Sequence, residues 1–140
     1  MATTPNSIVT PQVINTSFQS FVIGDTTTKK VLFTAGTNGS LLNCLIAQSS
    51  DTAIRNIYIY YYDLTTYWPL GCVALPINSG NTGAIASVNL LSSALLPGLP
   101  TDSNGNPYLK LGVSHQIVGA MVVTVTTALQ VTVAAFGENF

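Results

Sequence analysis

The sequence predicts an all-β domain, a sandwich or barrel, and three observations carry that expectation. Short runs rich in Val, Ile, Tyr and Thr recur at fairly regular spacing from residue 29 to the end. Clusters of Gly, Asn, Asp and Pro separate them. No segment holds a convincing helical period, and no fixed-period repeat or second domain is visible. The 140-residue length suits one domain able to bury a core without staples.

Each element can be justified in turn. Residues 1–28 read as an extended arm and lead-in, with single apolar residues spaced among Thr, Ser, Asn and Pro. Pro5 and Pro11 oppose a helix there. Such an arm can add to a neighbour's sheet edge, which makes Ile8, Val9, Val13, Ile14 and Phe18 contact candidates. A frayed terminus is the plainer alternative. Residues 29–140 form the single β-sandwich domain. "VLFTA" is a strand, "GTNGS" a turn whose Asn-Gly pair supports positive φ, and "LLNCLIAQ" a second strand. "SSDTA" is a loop before "RNIYIYYYDL", the clearest strand of the chain. "YWPLGCVALP" follows, where Pro69 marks an edge position or a bulge. "INSGNTGA" is a loop. Beyond it, Val88, Leu91 and Leu95 fit either a short helical turn or a strand with a long loop. "TDSNGNP" is a turn and "YLKL" a short strand. "QIVGAMVVTVT" and "LQVTVAAFG" read as an antiparallel pair about Thr127 and Ala128.

Charge narrows the function classes. Only 6% of residues are charged, against about 25% in an ordinary chain. Nine charged side chains cannot cover such a surface, so association with its own copies or a larger assembly is expected. Four cations make nucleic-acid binding a poor fit, because phosphate neutralisation supplies most of that affinity. No run reaches the roughly 20 apolar residues of a membrane helix. The N-terminus lacks the basic start and apolar core of a secretion signal, so synthesis in the cytoplasm is expected. Cys44 and Cys72 are expected as free, buried thiols, with an inter-strand disulfide as the alternative. No metal or other cofactor is expected.

Catalytic groups are scarce. His115 is the sole histidine, in "GVSHQ", a turn or strand start rather than the setting of a general base. Asp25, Asp51, Asp63 and Asp102 fall in expected loops or strand ends, where Asp commonly turns the chain. No phosphate loop, dinucleotide fingerprint or calcium loop occurs. The chain reads as a non-enzyme.

The stretch "IYIYYYDLTTYWPLG" (57–71) holds five of the six tyrosines and the single tryptophan. Strand alternation sends Ile57, Ile59 and Tyr61 to one face and Tyr58, Tyr60 and Tyr62 to the other. An aliphatic core face and an outward tyrosine ladder follow. Tyr and Trp provide large contact area at low entropic cost, so the ladder and Trp68 are candidates for a protein–protein interface. A sugar-stacking platform is the alternative, with Arg55, Asn56 and Asp63 at hand to fix hydroxyls. Burial of both faces within the domain is the plainest reading.

Three segments, "VLFTAGTNGSLL" (31–42), "YWPLGCVALP" (67–76) and "LPTDSNGNPYLKL" (99–111), together with the ending "VTVAAFGENF", resemble small capsid decoration, or cement, proteins of tailed bacteriophages. The likeness spans about residues 29–140 and rests on turn and strand signatures; Trp68 departs from the pattern. It implies a jelly-roll sandwich of about eight antiparallel strands on the exterior of the virion capsid, clamping major capsid protein subunits without catalysis or cofactor. It also implies terminal segments that reach to neighbours, which suits residues 2–20; a homo-oligomer, a dimer rather than a trimer, is expected beside it, and pattern adds the terminal Phe140 to the contact candidates. A carbohydrate- or receptor-binding β-sandwich on a virion surface is the alternative function.

Overall fold

The structure is a computed structural model that describes residues 13–140, so the expected contacts at Ile8 and Val9 lie outside the described residues. Two antiparallel sheets pack face to face. Their strands are β1 (Val13–Phe21), β2 (Lys30–Thr34), β3 (Ser40–Ser49), β4 (Arg55–Tyr62), β5 (Tyr67–Leu75), β6 (Val88–Asn89), β7 (Leu109–Leu111), β8 (Gln116–Met121) and β9 (Val131–Asn139). One sheet has the order β1-β9-β3-β6, with β7 pairing β3 beside β6. The other has the order β2-β8-β4-β5. Among the described residues no helix forms.

The core lies between the sheets and follows from strand alternation. Phe21, Leu32, Phe33, Leu42, Leu45, Ile57, Ile59, Leu75 and Ile117 point inward and are fully buried. Leu90, Leu91 and Leu96, from the long loop after β6, join the same cluster. Leu95 stays exposed. The strand-and-loop alternative for that segment is therefore the one realised: Val88 and Asn89 pair with β3, and Leu95, which a helical face would bury with Leu91, stays exposed.

Two expectations of strand pairing change. The sequence boundary at residue 29 places Val13, Ile14 and Phe18 in an arm, yet β1 pairs along its whole length with the chain's own β9, from Val13↔Asn139 to Phe21↔Val131. The alternation that suits a neighbour's sheet edge is met within the subunit. The expected pair of C-terminal strands also fails to form. β8 pairs β2 and β4, whereas β9 pairs β1 and β3 in the opposite sheet. β-branched residues specify extended backbone but not a partner. The segment between β8 and β9 crosses from one sheet to the other, buries Val125, and turns with Ala128 at φ 65°.

Pro69 sits where expected, on an edge strand and at a bulge. The β4–β5 register shifts between Ile59↔Gly71 and Tyr60↔Pro69, so Leu70 has no opposite residue.

The cysteines are unbridged, but they are not the buried thiols expected: Cys72 is exposed and Cys44 half-buried. Alternation explains both. Val73 and Leu75 take the inward positions of β5, which turns Cys72 out, while Cys44 lies opposite the exposed Phe136 on the outer face of the other sheet.

Candidate functional site

β4 and β5 are the only consecutive strands among the described residues that pair with each other, and their hairpin builds the aromatic surface. Ile57 and Ile59 enter the core, and Tyr58, Tyr60 and Tyr62 line the outer face, as alternation predicts. Tyr67 of β5 stands directly opposite Tyr62 and stacks on it, with ring centroids 4.2 Å apart and planes 15° from parallel. Tyr60 meets Tyr67 edge-on at 6.2 Å and lies tilted by 42° against Tyr58 at 6.0 Å. The four rings form one connected plate. Lys29 extends its ammonium to 5.0 Å from the Tyr67 centroid and 5.5 Å from that of Tyr60, which adds a cation–π contact at its margin.

Val118 and Ala120 lie opposite Tyr60 and Tyr58 in β8, on this same outer face. Both are almost completely buried although neither belongs to the central core. The tyrosines cover them, so the plate is a packed second layer with its upper side open to solvent. Tyr58 remains 39% exposed. Sequence reasoning missed Tyr67, Lys29, Val118 and Ala120. Tyr67 was findable from the Asp63–Thr66 hairpin, which sets Tyr62 against it; the others depend on non-local pairing.

Trp68 does not belong to this plate. It pairs opposite Tyr61, so it emerges from the other side of the β4–β5 ribbon and is 55% exposed. Its Nε1–H donates to Asp63 Oδ2 at 3.0 Å. The other carboxylate oxygen of Asp63 accepts from the Thr65 and Thr66 amides and the Thr65 hydroxyl at 2.7–3.0 Å. The Trp68 hydrogen bond, with those turn donors, holds the Asp63 carboxyl well below the usual carboxylate range. Phe140 is half-buried and folds back, its amide donating to Gly39 O. Val13, Ile14 and Phe18 lie on the other sheet, so the expected contact residues divide between two surfaces.

The loop aspartates, Arg55 and His115 are committed to the scaffold. Each loop aspartate accepts backbone N–H groups: Asp25 from Val22, Asp51 from Ala53 and Thr126, Asp102 from Asn104 and Asn106. Arg55 is held by Asp51 at 2.7 Å and donates to the Thr126 hydroxyl. His115 meets the Tyr61 hydroxyl through Nδ1 at 2.7 Å, and that hydroxyl also accepts the Gly112 amide. Tyr61→Phe is expected to lower unfolding free energy by about 1–2 kcal/mol by orphaning these partners, a change measurable by urea titration. Among the described residues no group of three His, Cys, Asp or Glu side chains could hold a metal ion. No protein-family model, curated protein or solved structure matches this chain.

Proposed function

We propose that the protein is a structural decoration protein that binds the exterior of a phage capsid through its tyrosine plate and reinforces contacts between major capsid subunits. The carrying observation is the plate itself: four connected aromatic rings on the solvent side of a charge-poor sheet. Rigid aromatic surface of this kind gives contact area with little entropy loss, and it needs no chemistry beside it. The strand order supports the jelly-roll form of the sandwich. With β6 and β7 sharing one position, β1-β9-β3-β6 facing β2-β8-β4-β5 is the interleaving produced when a long hairpin rolls up into two sheets. An interface of about 1,200–2,000 Å² per copy suffices for specific attachment, and many copies on one shell multiply it.

Engagement of the polar groups favours a protein partner over a sugar. Two of the three groups a glycan site would use to fix hydroxyls, Arg55 and Asp63, are taken by Asp51, Thr126, Trp68 and the 63–66 turn, which leaves the exposed Asn56 alone for that role.

The test uses undecorated heads of a phage whose major capsid gene neighbours this reading frame. The protein should sediment with the heads and raise their resistance to heat and low ionic strength. Tyr60→Ser, at the centre of the plate, should weaken attachment by about 30-fold or more. Failure to sediment overturns the proposal. Selective binding on a glycan array, lost in Tyr60→Ala, would establish the receptor-binding alternative instead.

A further inference from the structure

A sandwich has open sheet edges, and a soluble protein must guard them against pairing with other chains. Three of the four edges here are guarded. β5 carries Pro69 and a bulge. The edge beside β3 is divided between β6 and β7, two and three residues long. β2 begins with Lys30 just after Lys29, is bulged, and has carbonyls already occupied: Asn15 Nδ2 donates to Thr34 O at 2.8 Å and Gln19 Nε2 to Val31 O at 3.3 Å.

Among the described residues β1 lacks the charge, proline, bulge and brevity of the other edges, and only at Ser20 is its outward main chain occupied. "VINTSFQSF" runs nine residues without a charge, a proline or a glycine, and its register with β9 is unbroken. Ile14 and Phe18 are 80% and 69% exposed. Its free main-chain groups can be assigned. Ser20 O accepts from Lys30 Nζ and Ser20 N–H donates to Gln19 Oε1, so the main chain of Ser20 faces away from β9. Antiparallel ladders alternate, so Ile14, Thr16 and Phe18 face the same way. Among the described residues, their outward N–H and C=O groups have no partner.

We infer that β1 is a dimerisation edge: it pairs antiparallel with β1 of a second copy across a two-fold axis at Thr16, joining two sheets into one. The register follows from the free groups. Residues with outward main chain must face each other, and Ser20 is already engaged, which leaves Ile14 opposite Phe18, Thr16 opposite Thr16, and Phe18 opposite Ile14. Three such pairs exchange about six hydrogen bonds. A charged strand would oppose its own charges across the axis; this one opposes none. Ile14 against Phe18 is an aliphatic–aromatic cross-strand pair, a favourable kind, and Phe136 extends it by packing edge-on against Phe18 at 5.9 Å. A second copy fits this edge better than an unrelated partner, because the strand is complementary to itself in that register.

The inference deepens the self-association expected of a capsid-bound protein, but it is tested in solution without capsids, so the two stand or fall separately. Sedimentation equilibrium of the full chain, 14.7 kDa, should give about twice that mass. Thr16→Lys, which sets two ammonium groups against each other at the axis, should raise the dimer dissociation constant about 100-fold or more. In a Cys44→Ala, Cys72→Ser background, Thr16→Cys should cross-link on mild oxidation, since facing hydrogen-bonded residues lie about 5.5 Å apart, within disulfide reach. Ser17→Cys should not. Independently of any variant, amide exchange at Ile14, Thr16 and Phe18 should slow as concentration rises. A monomer at about 100 µM, the state expected if the chain's own residues 1–12 cover the edge, overturns the inference. So does a trimer, or a dimer indifferent to Thr16→Lys whose β1 amides show no concentration dependence.

Discussion

Asp51→Ala is expected to lower unfolding free energy by about 3–5 kcal/mol, the range for breaking a buried ion pair from one side. The Asp51 side chain is fully buried and that of Arg55 14% exposed, with 2.7 Å between Oδ2 and Nε. The carboxylate also accepts the amides of Ala53 and Thr126 and the Thr126 hydroxyl at 2.9–3.0 Å. It thereby ties the β3–β4 loop to the segment that carries the chain from β8 across to β9. Removing it strands the Arg55 charge and two amide donors. Because Arg55 keeps some solvent contact, the lower half of the range is expected.

The same group makes stability pH-dependent. Burial on its own raises the Asp51 carboxyl, but the Arg55 hydrogen bond, together with the Thr126 and Ala53 donors, outweighs that and holds it well below its ordinary value of 3.8. A depressed folded value means that the unfolded chain takes up the proton first. The stabilisation is therefore complete above about pH 4 and is lost as pH falls below 3.8 toward the folded value. Thermal unfolding followed from pH 6 to pH 2.5 should show a steep acid limb in the parent, flatter in Asp51→Ala. Equal slopes would remove Asp51 from this role.

Phe33→Ala is expected to cost about 3–5 kcal/mol, as for other fully buried aromatic residues. Phe33 reaches across the sandwich from β2 to β9, where its ring occupies the space above Gly137. A Cβ on Gly137 would stand 2.9 Å from Phe33 Cζ and would also collide with the Leu41 carbonyl. Gly137 is thus required by close approach rather than by φ. Gly137→Ala should destabilise by about 1–3 kcal/mol through overpacking. The double variant should cost less than the sum, because one of the two collisions vanishes with the ring. Strict additivity in urea titrations would show that the ring and the glycine are not coupled.

Much of this molecule was legible along the chain. The all-β class, the inward Ile57 and Ile59, the outward Tyr58, Tyr60 and Tyr62, the bulge at Pro69 and the turn-capping aspartates all follow from local rules. Alternation has a period of two residues, and turn chemistry acts over about four. Such rules need no knowledge of the partner strand.

What the tertiary structure alone decided was who pairs with whom. The C-terminal strands part into different sheets, β1 closes on β9 from more than a hundred residues away, and Cys72 faces solvent. Tyr67, Val118 and Ala120 join the tyrosine plate through register, and Trp68 leaves it for the same reason. Backbone hydrogen bonds are alike at every residue, so a strand's own composition cannot name its neighbour. The shared core chooses, by burying the most apolar surface at once, and among the described residues it leaves β1 as the one edge without a charge, a proline, a bulge or a short strand to guard it.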